Sequence, residues 1–185
     1  MISRFHRLAS LALAVAFTTG AGLASAQVMV GGAPMYATKD IIDNAVNSKD
    51  HTTLVTAVKA AGLVETLKGP GPFTVFAPTN VAFAALPAGT VDTLLKPENK
   101  GQLTAVLTYH VVPGKLDAAA LGSQIMDGKG TATLKTVAGG TLTAKESGGK
   151  IMVGNEKGGW ATVSTADVYQ SNGVIHVVDK VLLPK

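Results

Sequence analysis

The sequence predicts an α+β fold, and three observations carry that prediction. From Thr38 to Lys68 apolar residues recur at the three- and four-residue spacing of helices that lie on a core. From Ile125 onward the texture changes to short runs rich in Val, Ile and Thr, separated by glycine turns. The chain has no internal repeat, and its helices come early and its strands late, which is the order of an α+β domain and not of an alternating α/β chain.

Taken in order, Gln27–Ala37 (QVMVGGAPMYA) reads as a short mobile linker, because Gly31-Gly32 and Pro34 interrupt any regular pattern. The domain proper is expected over residues 38–185. Thr38 is placed to cap a first helix that carries Ile41, Ile42, Ala45 and Val46 on one side, and a cap also accounts for Asp40. Asp50 caps a second helix with Leu54, Val55, Val58 and Ala61 inward, and Gly62 ends it. Leu63–Leu67 adds one turn before Gly69-Pro70-Gly71-Pro72. Phe73–Phe76 is a buried strand, stopped by Ala77-Pro78, and Thr79 or Asn80 then caps a short helix with Phe83 and Leu86. Thr90–Leu95 is a further turn. Pro97 suits the first position of a helix that runs to about Thr108, with Leu103, Val106 and Leu107 inward. Tyr109–Val112 returns to β structure, and Asp117–Leu121 makes one helical turn. The strand candidates that follow are Ala132–Lys135, Thr141–Glu146, Ile151–Val153, Ala161–Tyr169, Gly173–Val178 and Val181–Leu183. Gly148-Gly149 suits a hairpin turn, and threonines at alternate positions suit the wet face of a sheet.

The first 26 residues read as an export signal. Arg4, His6 and Arg7 form a positive start, Leu8–Phe17 an apolar stretch, and Ala24-Ser25-Ala26 a small-residue cleavage site, so the mature chain is expected to begin at Gln27. The apolar stretch is shorter than the roughly 20 residues a helix needs to cross a bilayer. No membrane span is expected, and the product should be secreted or periplasmic. Removing 26 of 185 residues leaves 159, one domain by length, large enough to bury a core without staples. The chain has no cysteine, so packing must hold it. Loss of Arg4 and Arg7 takes the cations from 16 to 14 against 12 acids, so the net charge falls from +4 to +2. All 14 remaining cations are scattered lysines. Nucleic-acid recognition, which favours arginine forks and clustered basic faces, is not expected.

No constellation for catalysis emerges. His51, His110 and His176 form none of the local pairs that bind metals, and no G-x-S-x-G elbow is present. No metal, cofactor or catalytic residue is therefore expected, and the histidines read first as structural. Gly122–Gly130 departs from a phosphate-binding loop by one residue of spacing and lacks its Ser or Thr. Trp160, beside Gly158-Gly159, is either a packing anchor or a binding residue at a loop rim.

Three blocks, GPFTVFAPTNVAFAALP within Gly71–Pro87, LTYHVVPG at Leu107–Gly114 and NGVIHVVDKVLLP at Asn172–Pro184, resemble in order and spacing the fasciclin (FAS1) domain, a secreted module of adhesion and matrix proteins. The resemblance implies a wedge-shaped β-sandwich with the N-terminal helices packed on one side. It also implies a non-enzymatic interaction module for cell adhesion or surface and matrix association, through a cell-surface protein or glycan. Some animal members of the family bind integrins through an acidic-aliphatic pair before the last block and through residues around the Tyr-His block. The matching positions are Asp167, Val168, Tyr109 and His110, with Val168 in place of the usual isoleucine and no RGD in the chain. Trp160 and Tyr169 are further candidate anchors. The alternative is a carrier of an apolar small molecule, carotenoid or lipid-like, suggested by small apolar residues such as Ala118–Ala120 and by Met126 and Met152.

Overall fold

The computed structural model describes residues 27–185, so the expected signal segment lies outside the described residues. The chain opens with a hairpin of β1 (Met29–Val30) and β2 (Ala33–Pro34), then α1 (Ile41–Ala45), a 3-10 turn at Lys49–His51, α2 (Thr52–Ala61) and α3 (Val64–Lys68). Strand β3 (Phe73–Pro78) leads to α4 (Asn80–Ala84), α5 (Thr90–Leu95), a second 3-10 turn at Pro97–Asn99 and α6 (Lys100–Tyr109). After β4 (Val111–Pro113) and α7 (Ala118–Asp127) come five strands: β5 (Thr131–Lys135), β6 (Thr141–Ser147), β7 (Lys150–Gly154), β8 (Trp160–Gln170) and β9 (Gly173–Val178).

Seven strands form one mixed sheet in the order β4-β3-β9-β8-β7-β6-β5. Only β3 and β9 pair in parallel, from Phe73 opposite Gly173 to Pro78 opposite Val178. The Val137 amide donates to the Val111 carbonyl at 2.8 Å, so the chain after β5 reaches back to β4 and the sheet nearly closes on itself. Two apolar clusters lie on its two sides. Val75, Ala77, Ile175 and Val177 pack with Leu54, Val58 and Leu107 of the helices. Phe76 and Val178 face the other way, onto Leu121, Leu142, Ala144 and Val153 inside the curved sheet. Strands β3 and β9 are therefore buried on both faces, which is why their apolar residues run on without alternating.

The local caps differ in part from the sequence reading. Asp40, not Thr38, caps α1, accepting from the Asp43 amide at 2.8 Å. Asp50 sits within the 3-10 turn, and α2 has no side-chain cap of its own. Asn80 serves α2 across the fold: its Oδ1 accepts from the Thr53 amide at 3.0 Å, and its Nδ2 donates to the Lys49 carbonyl at 2.8 Å. Helix α7 runs ten residues, far beyond the single turn expected, because Asp117 caps it and Leu121 and Ile125 bury one side. Val181–Leu183 forms no strand; Leu182 is buried there without a strand partner. Residues 27–37, expected as a mobile linker, instead carry the β1–β2 hairpin and bury Val30 and Met35 in the helical core.

Asn172 ties three elements together. Its Oδ1 accepts from the Ile41 amide at 3.1 Å, and its Nδ2 donates to the carbonyls of Leu67 at 2.6 Å and Gly69 at 3.0 Å. The following Gly173 lies so close to Phe73 that a Cβ would stand 2.0 Å from the Phe73 carbonyl oxygen. Removing the amide leaves three partly buried backbone groups without their partner. Asn172→Ala should lower stability by about 2–3 kcal/mol in urea denaturation; a loss within about 0.5 kcal/mol would contradict this role.

Candidate functional site

Strand β8 is 11 residues long and serves two neighbours. Its first part pairs with β7 and its later part with β9, and the register slips between Val163 and Thr165 and between Thr165 and Val168. Asp167 sits in the second irregularity with φ +58°, a left-handed conformation that Asp tolerates better than most side chains. The bulge turns Asp167 toward the start of α7, where its Oδ1 accepts from the Ala118 amide at 2.6 Å. Its own amide donates to His176 Nδ1 at 3.4 Å. That contact fixes the tautomer: the proton is on Nε2, which donates to the Leu116 carbonyl at 2.6 Å.

Asp117 completes the arrangement. One carboxylate oxygen caps α7 at the Ala120 amide, 2.8 Å away, and the other accepts from the Tyr169 hydroxyl at 3.3 Å. Two carboxylates thus hold the α7 N-terminus against β8, where the helix dipole favours negative charge. The exposed Tyr169 ring carries the Lys115 ammonium 4.8 Å from its centroid. Partial burial and then the neighbouring Asp167 and Asp117 charges push its phenol above the ordinary value. Between Asp167–Tyr169 and residues 35–38 lies an open groove of about 410 Å³, with Tyr36 on the opposite wall.

Asp167 and Trp160 are half-buried and keep a face to solvent. Tyr109, His110 and Val168 do not: all three lie in the interior, with 1%, 3% and 1% of their surface exposed. Where the sequence led to the expectation of contact residues, the structure has packing and hydrogen bonds. The Tyr109 ring lies on Gly140, where a Cβ would stand 2.6 Å from the ring, and its hydroxyl donates to the Thr141 carbonyl at 2.7 Å. Val168 packs into the helix-side core. The sequence reading missed Tyr36, hidden inside the supposed linker, and the pairing of Lys115 with Tyr169. The signal for the first was Met35, an apolar residue that a mobile linker has no reason to carry.

His110 donates from Nδ1 to the Val106 carbonyl at 2.8 Å and accepts on Nε2 from the Leu182 amide at 2.9 Å. His51 bonds Ser48 Oγ through Nδ1 at 2.9 Å, and burial lowers its pKa. Among the described residues no group of three His, Asp or Glu stands close enough to hold a metal ion. The helix-side core holds an apolar cavity of about 60 Å³, bordered by Leu54, Val58, Val75, Leu107 and Ile175. Sites for small molecules measure about 300–1,000 Å³. The cavity is therefore far too small for a carotenoid or lipid chain, and the carrier reading finds no room in it.

Burial holds the His110 imidazole at a pKa of about 4, well below its ordinary value. The folded state thus keeps it neutral while the unfolded chain takes up a proton near pH 6.5. The contribution is complete above about pH 6.5 and is lost as pH falls toward 4, roughly 3 kcal/mol in all. Stability from urea denaturation should fall across this window, and the His110 ring signals in NMR should titrate near pH 4. A His110 midpoint near 6.5 in the folded protein would contradict the buried, neutral assignment.

The family model described as "Fasciclin domain" matches residues 49–184. A Synechocystis sp. protein, sll1483, is 47% identical, covering 92% of this chain and 95% of that protein. The immunogenic protein MPB70 of Mycobacterium bovis is 35% identical over 76% of this chain and 66% of its own. Among solved structures, a FAS1 domain pair from the insect cell adhesion molecule fasciclin I shares the fold, with a TM-score of 0.67 at 17% identity. The match covers 77% of this chain and half of that chain. On the motif blocks, the mixed, nearly closed sheet with its helices and the match over residues 49–184, this chain belongs to the fasciclin domain family.

Proposed function

We propose that the protein is an exported, non-enzymatic interaction module, for cell adhesion or surface association, and that its contact site is the groove at the β8 bulge. The observation that carries this reading is the groove itself: about 410 Å³, with half-buried Asp167 on one wall and exposed Tyr169 at its rim. A rigid aromatic beside a carboxylate, next to hydroxyl and ammonium groups, is the composition of a modest protein–protein or protein–glycan interface. The non-enzymatic reading draws support from the histidines. His110 and His176 each use both ring nitrogens on backbone groups, so neither is available as a general base. Kinship in fold with a cell adhesion molecule agrees with it.

The domain is proposed to extend from Thr38 to Lys185, with the β1–β2 hairpin packed on it. Among the described residues no helix is long and apolar enough to cross a membrane. Export with cleavage near Ala26 would deliver it to the periplasm or beyond.

Two substitutions test the groove without disturbing the fold. Asp167→Asn keeps a residue that tolerates positive φ and an oxygen for the Ala118 amide, and it removes the charge. Tyr169→Ala removes the exposed ring. Binding of the purified protein to its host cell surface should weaken in both, by about 1–2 kcal/mol for Tyr169→Ala, with thermal unfolding close to that of the parent protein. Unchanged adhesion in both folded variants would exclude the groove as the contact site.

A further inference from the structure

The outer face of β5–β8 has a second, separate character. Inward residues alternate along these strands, as with Ala132, Leu134, Leu142, Ala144, Val153 and Ala161. The register therefore fixes what faces out. Thr133, Thr143, Gly154 and Trp160 lie in one row across the four strands, and Thr131, Lys145, Met152 and Thr162 in the next. Lys135 stands opposite Thr141 at one end and Lys150 opposite Ser147 at the other.

Trp160 lies flat across this face because Gly154 leaves room for it. A Cβ at Gly154 would stand 2.8–2.9 Å from three atoms of the indole. The Lys145 ammonium is 3.8 Å from the ring centroid. Lys135, Lys145 and Lys150 form none of the ion pairs among the described residues, and no outward position of β5–β8 carries a carboxylate. Glu146 belongs to the inward-pointing set of its strand, and Asp179 at the rim accepts from the Thr162 amide at 2.7 Å. Strand spacing puts the three lysine stems within roughly 20 Å of one another.

We propose that this face binds an acidic polysaccharide. The lysines at its outward positions are complementary in charge, the rim acids being engaged, Glu156 by the Thr141 amide and Lys185, and Asp179 by the Thr162 amide, and the remaining parts fit a sugar better than other polyanions. A carboxylated or sulfated sugar offers an acid group to Lys145, which lies over the indole, and hydroxyls to the threonine rows. Nucleic acid is disfavoured by a face with lysines but no arginine and no second aromatic to stack bases. An anionic bilayer is disfavoured because Met152 is half-buried and Trp160 lies flat beneath the Lys145 ammonium, so no apolar wedge projects from the face. This surface does not rest on the groove reading, since it shares no residue with it.

Trp160 is the only tryptophan, so its emission reports this face alone. The mature protein should be titrated with sodium alginate, a polyuronate, with neutral dextran as control, and affinities measured by calorimetry. Alginate should change the Trp160 emission and bind, dextran should do neither, and about 1 M salt, where screening acts within about 3 Å, should reverse the binding. The folded Lys135→Gln/Lys145→Gln/Lys150→Gln variant should bind alginate at least about tenfold more weakly, and Lys145→Gln alone should show part of that loss. Tyr169→Ala should bind as the parent does. No binding of alginate, equal binding by the triple variant, or loss with Tyr169→Ala alone would overturn the proposal. So would a response to anionic phospholipid vesicles without one to alginate.

Discussion

Strand β9, the last strand among the described residues, has to enter the middle of the sheet. It pairs in parallel with β3 about a hundred positions earlier, Phe73 against Gly173, and antiparallel with β8 on its other edge. All six of its residues are buried. A strand in that place has no water on either face, so each polar group it carries must find a partner within the fold. His176 meets this with the Leu116 carbonyl and the Asp167 amide, and its ring stacks on Phe76 with centroids 5.5 Å apart. Neighbouring Thr74 on β3 does the same, donating to the Gly114 carbonyl and accepting from the Leu116 amide. Pairing across such a distance is entropically costly to begin, which is why Asn172 and His110 fasten both ends of the insertion.

This constraint explains what the sequence disclosed and what it withheld. The strands Gly173–Val178 and Phe73–Phe76 were legible because burial on both faces leaves continuous apolar runs, and β5–β8 because one wet face leaves alternation. Helix α7 was read as one turn because Gly122 and Ser123 interrupt its pattern, although the Asp117 cap and the Leu121 and Ile125 contacts carry it through to Asp127. Val181–Leu183 has the composition of a strand, yet its amide at Leu182 is taken by a side chain, His110, and not by a neighbouring strand. The hairpin in residues 27–37 was missed because its stability comes from Val30 and Met35 entering a core that no local pattern reveals.

The candidate site was legible only in part, for a related reason. Tyr109, His110 and Val168 lie in or beside the motif blocks, and the blocks are dense with residues that the inserted strand needs for packing. Tyr109 closes the inside of the sheet over Gly140, and His110 holds the tail. Motif membership therefore marks positions under structural constraint, and contact chemistry has to be sought where side chains remain wet. Two such places stand out: the groove between Asp167–Tyr169 and Tyr36, and the lysine-flanked Trp160 on the outer sheet. Neither is a motif, since each arises from register, a bulge and a glycine that makes room.

The claim on which this account rests is that side chains from the motif blocks, and not the sheet ladder alone, lock the inserted strand and the tail behind it. Native-state hydrogen exchange of the Leu182 amide reads that lock directly, because its one partner is the neutral His110 ring. The account predicts that at pH 7 this amide, though outside any strand, exchanges only through openings nearly as costly as global unfolding, and that its protection falls as His110 takes up a proton toward pH 4. An amide at Leu182 that exchanges at pH 7 like an unstructured chain would contradict it.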